Sequence, residues 1–195
     1  MDVWKVDVIS ISGGGRIKSD PILAEALRGA YFNQVPVFAA THNDGRNQAV
    51  SFPARYKTVY PIFSTDSYGR TCNFSADPLP HKSFASLGHK ITPFWIDPRI
   101  QETISGSSYA TPIAAGSYAT TLLFTRLIYN RAPKKPHAVE LGGEVVMEAL
   151  MDMLSKPSKS GGLSFGYVNP SLLWQKTTIV EQIKLMVAQV ATGEQ

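Results

Sequence analysis

The apolar positions begin almost at once. Val6, Val8, Ile9 and Ile11 form a short, nearly continuous run, which predicts a strand buried on both faces of a parallel sheet. Ser12-Gly13-Gly14-Gly15 breaks that run. Asp20 followed by Pro21 gives an N-cap side chain and a proline at the first helical position. Ile22, Leu23, Ala26, Leu27, Ala30 and Tyr31 then continue at helical spacing. A second apolar run covers residues 35–40. Strand, helix and strand in that order make a βαβ unit, hence a parallel sheet with a right-handed crossover. A strand of this central type so near residue 1 leads to the expectation that the start of the fold is absent.

The middle of the chain is less regular. Residues 59–63 predict a strand, followed by a turn at Asp66 to Gly69, and residues 84–91 a loop or short strand. Pro93, Pro98 and the polar stretch up to Ser105 predict an extended loop. Residues 107–129 are helical in pattern and apolar on most sides, the mark of a helix buried in the middle of a domain. Pro112 is placed in its first turn, where proline is tolerated. A further helix is expected over 139–154, with Val146, Ala149, Leu150, Met153 and Leu154 on one stripe. Residues 156–162 read as a Pro/Ser/Gly loop and 177–190 as a last helix.

Composition narrows the class. The 195 residues are 44% hydrophobic and 17% charged, a globular balance. The net charge of +4 is spread along the chain, with Lys134-Lys135 the one tight pair, so nucleic acid is not an expected partner. The single cysteine, Cys72, excludes a disulfide framework within the chain. The first ten residues lack the basic and apolar regions of a signal peptide, and no run reaches the ~20 apolar residues of a membrane span. Those two features set the expectation of a cytoplasmic, non-membrane protein. No ligand cluster for a metal stands out, and no cofactor is expected.

Gly106-Ser107-Ser108-Tyr109-Ala110-Thr111-Pro112-Ile113-Ala114-Ala115-Gly116 is the most informative stretch. Small residues surround a serine at the mouth of a helix, so a substrate can approach closely. The helix N-terminus also offers free backbone N–H groups to developing negative charge. Taken alone, either serine is only a helix N-cap. Ala39-Ala40-Thr41-His42-Asn43-Asp44-Gly45 is, taken alone, a turn after a strand. The Ser12–Gly15 glycines lack the Lys-Ser/Thr that a phosphate loop requires.

Together these segments resemble the subtilisin-like serine proteases (peptidase family S8). The serine segment matches that family's Gly-Thr/Ser-Ser-x-Ala-Thr/Ser-Pro motif, with Ser108 at the nucleophile position and Ile113 where many members have histidine. Asn43 matches the asparagine that presents its side chain to the oxyanion, with His42 in place of the usual glycine. A fixed donor there acts on the transition state; in subtilisin itself, losing one such donor costs roughly 100- to 1000-fold in rate. Ser12, Gly13 and Gly14 match the segment that binds the substrate backbone as an added strand, and the glycines are expected to let that backbone come close. Phe52-Pro53-Ala54-Arg55-Tyr56, then Asp66-Ser67-Tyr68-Gly69, then Asn73-Phe74-Ser75, and Phe84-Ala85-Ser86-Leu87-Gly88 resemble further blocks in family order. The likeness covers residues 3–128.

The resemblance implies a three-layer α/β fold, a parallel sheet flanked by helices with its N-terminal part absent. Residues 1–130 would be the serine-bearing part of the peptidase domain and 131–195 a helical remainder or extension. It implies serine-type endopeptidase activity on peptide or protein substrates. The family's order is Asp, His, Ser, and neither Asp2 nor Asp7 stands in an Asp-Ser/Thr-Gly setting. None of His42, His81, His89 and His137 lies in a His-Gly-Thr type motif. Without base and carboxylate the chain alone is expected to be inactive. The alternatives are a degenerate, non-catalytic peptide-binding module, and a site completed by a separate chain or a larger parent chain that carries the missing half.

Overall fold

A computed structural model of the chain describes residues 5–79, 83–93, 102–131, 144–160, 163–172 and 181. Six strands form one sheet: β1 (Ile9–Ile11), β2 (Val37–Ala40), β3 (Val59–Thr65), β4 (Phe84–Leu87), β5 (Ser155–Ser160) and β6 (Leu163–Val168), in the order β1-β2-β3-β4-β6-β5. β1 to β4 are parallel neighbours, β6 is parallel to β4, and β5 is antiparallel to β6. The α/β class with a mostly parallel sheet is therefore as expected.

Among the described residues, three helices flank the sheet. α1 (Pro21–Phe32) starts where Asp20 accepts the Leu23 N–H at 3.1 Å, with Pro21 at the first position. It lays Ala24 and Leu27 over Val37, Ala39, Val59 and Phe63 on one face of the sheet. On the other face α2 (Ser107–Arg131) and α3 (Glu144–Leu154) enclose Phe38, Tyr60, Ile62 and Phe84. Alternate strand residues feed the two cores, as the two-residue period of a strand requires. Leu150 and Leu154 of α3 are fully buried, each worth about 1.5–3 kcal/mol of apolar burial. Tyr118 is buried against Phe38, and burial pushes its phenol up to about 12.

The α2 interior carries buried Thr111, Ser117, Thr121 and Thr125. Each hydroxyl donates to the carbonyl four residues earlier, at 2.7–2.8 Å. This back-bonding lets a helix bury polar side chains at little cost in unsatisfied groups.

Several expectations need correction. β1 is not buried on both faces: among the described residues it pairs with β2 alone, its residues are half-buried or exposed, and Val6 is 41% exposed. α2 is not buried all round, because Leu123 and Leu127 are 57% and 44% exposed. Pro112 falls in the second turn of α2 rather than the first, which leaves the Ser108 carbonyl without its i+4 donor. Residues 156–162 are not simply a loop. Ser155–Ser160 is a strand, and the unanticipated β6 pairs it to the sheet. Pro157 is admitted because β5 lies at the sheet edge. Residues 84–87 of the ambiguous 84–91 stretch are strand. The Pro98 loop tip and nearly all of the 177–190 helix lie outside the described residues, as do the side chains of Val146 and Met153.

Candidate active site

The predicted site segments all follow the carboxyl ends of parallel strands. Ser12-Gly13-Gly14 leaves β1, Asn43 lies three residues past β2, and Gly88 follows β4. In parallel α/β sheets this edge is where ligands bind. The N-terminus of α2 is fastened to the same edge by a relay: Gly88 N–H donates to Thr65 O at 2.9 Å, and Gly106 N–H donates to Gly88 O at 2.7 Å. A side chain on Gly88 would place its Cβ 2.3 Å from Ser64 Oγ and 2.8 Å from Gly106 O. The sequence marks Gly88 only as part of a block; the backbone approach explains the glycine.

Asn43 is tied to the start of α2. Its Oδ1 accepts the Ser107 N–H at 2.8 Å. An N–H can be accepted only by the amide oxygen, so this bond orients the group. The Nδ2 then lies beside Gly106, 3.1 Å from where a Cβ would stand, and has no partner among the described residues. Ser107 Oγ donates to His42 O at 3.3 Å. Ser107 is fully buried and Ser108 only half-buried, so the two serines differ in access. Ser108 is the second residue of the 25-residue helix α2, whose N-terminus carries positive dipole.

His42 replaces glycine without strain, since it does not adopt a positive φ. Its Nδ1 accepts from Asp44 N–H at 3.0 Å, which leaves Nε2–H to donate to Gln48 O at 3.1 Å. Both ring nitrogens are thus used within the loop. His89 Nδ1 meets Ser105 Oγ at 3.2 Å, and its ring lies 6.1 Å from that of Phe74. His81 and His137 lie outside the described residues. Cys72 is buried beside Ser64 Oγ, and burial pushes its thiol up, so it is not a thiolate nucleophile.

Ser12, Gly13 and Gly14 are exposed. Gly14 is glycine for a reason internal to the chain: a Cβ there would stand 2.6 Å from Ser51 Oγ and 2.8 Å from Phe52 O, whereas Gly13 faces open space. The next residue, Gly15, makes an antiparallel bridge with Phe52. Asp44 and Arg16 form an ion pair at 3.0 Å, tying this segment's exit to the Asn43 loop. No group of three or more metal-ligating side chains occurs among the described residues.

The same arrangement of sheet and helices recurs in solved protease structures. The prenylagaramide maturation protease PagA superposes with a TM-score of 0.66 at 23% identity, covering 91% of this chain and 62% of that one. The self-cleaved protease domain of PatA gives 0.67 at 22%, covering 93% and 62%. The fold is that of the subtilisin-like proteases. In sequence, the chain is 32% identical over 115 residues to the minor extracellular protease Epr of Bacillus subtilis (strain 168). That match covers 59% of this chain and 17% of Epr. The chain thus spans under two thirds of each of these relatives. No protein-family profile matches it.

Proposed function

We propose that the chain is the nucleophile and oxyanion side of a subtilisin-like serine endopeptidase. Ser108 Oγ attacks the peptide carbonyl. The tetrahedral oxyanion is held by Asn43 Nδ2 and the Ser108 backbone N–H, in a position where charge develops only in the transition state. The exposed Ser12–Gly14 edge binds the substrate backbone as an added strand. The observation that carries this reading is the 2.8 Å bond from Ser107 N to Asn43 Oδ1, which turns the amide so that its donor end is available beside Gly106 at the mouth of α2.

The general base and its orienting carboxylate come from polypeptide other than these 195 residues, either in the same parent chain or in a partner chain. The engaged ring of His42 supports this, as does the lack of any Asp-Ser/Thr-Gly or His-Gly-Thr segment. By itself the chain is catalytically silent, because serine without a base is a poor nucleophile. The same observation favours a second reading, a non-catalytic peptide-binding module.

A fluorophosphonate probe separates these. The 195-residue chain alone should not react at Ser108, and the full-length protein should, with labelling abolished by Ser108→Ala. Strong Ser108 labelling of the chain alone overturns the silent-half reading. A full-length protein that stays unlabelled while binding peptides supports the module instead.

A further inference from the structure

A groove of about 570 Å³ lies away from Ser108 and Asn43, between the loop before α1, the second half of α1 and residues 52–58. Its size is that of a ligand-binding cleft, for which ~300–1,000 Å³ is usual. Lys18, Arg28, Arg55 and Lys57 line it, and no carboxylate does. Among the described residues Arg16, Arg46, Arg70 and Arg126 each pair with an aspartate, whereas the groove cations pair with no carboxylate. Arg55 is held rigid by donating to the carbonyls of Val50, Ile17 and Lys18, and Arg28 by donating to the Tyr56 hydroxyl at 3.2 Å. Their bonds go to neutral oxygens, so their charge stays uncompensated.

The walls are aromatic. Phe52 and Tyr56 meet edge to face, as do Tyr31 and Phe32, and Phe32 is left 79% exposed. Uncompensated cations beside an exposed aromatic are the complement of an anionic group attached to a large apolar one.

We propose that this groove is a second binding site, for an acidic peptide segment that carries an aromatic or large aliphatic side chain. Carboxylates would engage Lys18, Lys57 and the outward face of the two arginines. The apolar side chain would lie on Phe32 and Tyr56. A peptide is favoured over a small acid because Phe52 joins the groove directly to the Gly15 end of the Ser12–Gly14 edge, a choice that rests on the peptide-binding reading of that edge.

Fluorescence anisotropy tests it on the full-length protein carrying Ser108→Ala, so that no cleavage interferes. The probes are a labelled Glu-Asp-Phe-Glu-Asp peptide and its Gln-Asn-Phe-Gln-Asn counterpart. The acidic peptide should bind at least about tenfold more tightly, and its affinity should fall with salt. Lys18→Glu with Lys57→Glu, both at exposed positions, should abolish the preference without lowering Tm. Phe32→Ala should weaken both peptides alike. Equal binding of the two peptides, or no effect of the double charge reversal, overturns the proposal. Displacement of the acidic peptide by phenylacetate at equal affinity overturns the peptide assignment in favour of a small aromatic acid. Loss of the Ser108 chemistry does not affect these readouts, so failure of the protease reading is distinguishable from failure of this one.

Discussion

Asn43 Oδ1 accepts the Ser107 backbone N–H at 2.8 Å, binding the end of β2 to the start of α2. The bond uses one of the four orphan donors of the helix N-terminus. It also makes one amide do two tasks: its oxygen holds the helix, and its nitrogen is left to act as a donor. Structure and chemistry at this residue are therefore separable by mutation.

Asn43→Asp keeps an acceptor for Ser107 N–H and places it where negative charge is favoured by the helix dipole. It replaces the Nδ2 donor with an oxygen that repels an oxyanion. In a catalytically complete form of the protein, kcat should fall at least ~100-fold while Tm holds. Asn43→Leu should lose both activity and about 1–2 kcal/mol of stability through the lost cap. A large Tm drop with Asn43→Asp would break the separation.

Gly88 governs how closely β4 can approach α2. Gly88→Ala would drive a methyl into Ser64 Oγ and the Gly106 carbonyl. Neither can yield easily, since Ser64 is fully buried and Gly106 carries the relay to the helix. Overpacking of this kind costs about 1–3 kcal/mol. The expected result is a lower urea midpoint together with weakened fluorophosphonate labelling of Ser108 in the full-length protein. Labelling should fall because Gly106 moves with the clash.

The βαβ opening was legible because its signals are local: Asp20 and Pro21 cap α1, and the apolar runs on either side supply two strands. The serine and asparagine segments were legible through their residue order. What escaped depends on non-local facts. β6 carries Ser164 and Gly166 amid its apolar residues, so its strand character comes from pairing with β4 and β5. Pro157 and the serines of β5 read as loop because nothing local says the strand will lie at a sheet edge. The exposed side of α2 has the composition of a buried helix, and periodicity cannot say which neighbours are present.

That exposed side makes a solubility prediction. Leu123 and Leu127 lie one turn apart on α2 and are exposed, and among the described residues β1 pairs with β2 alone. For the 195-residue chain expressed alone, Leu123→Glu with Leu127→Glu should shift light scattering from aggregate toward monomer. Stability should change by only about ±0.5 kcal/mol, as for surface sites. In the full-length protein the same pair should instead lower Tm if a further part of the protein packs on this stripe. An unchanged Tm there would mean that the stripe is solvent-facing in the intact protein.

Asp7 and Arg126 tie the segment before β1 to α2, at 2.6 Å. The hydrogen bond from Arg126 holds the Asp7 carboxyl below the usual aspartate range, against partial burial. A folded-state pKa below the unfolded one adds stability above the usual aspartate value, and this is lost as pH falls through the folded value. Both side chains are substantially exposed, so the pair is worth only about 0.2–1 kcal/mol. Arg126→Met should reduce the urea midpoint at pH 7 and by less at an acidic pH, where Asp7 is increasingly protonated. An equal decrease at both pH values would assign the effect to packing of the Arg126 stem.

Asp152 carries the opposite sign. Partial burial and then the Glu148 carboxylate, one turn earlier on α3, push its pKa above the usual aspartate value. Asp152 also lies in the last turn of a helix that has no basic residue there, where a negative charge opposes the dipole. The carboxylate therefore costs stability above its raised folded pKa, and that cost disappears as pH falls through the window down to the unfolded value. Asp152→Asn should stabilise the chain at pH 7 by about 0.3–1 kcal/mol, since Asn and Asp have similar helix propensity. Asp152→Lys should gain more, because it converts two repulsions into attractions. Urea melts at pH 7 and pH 3 decide it: the Asn gain should vanish at the lower pH. A gain that persists at pH 3 would come from something other than charge.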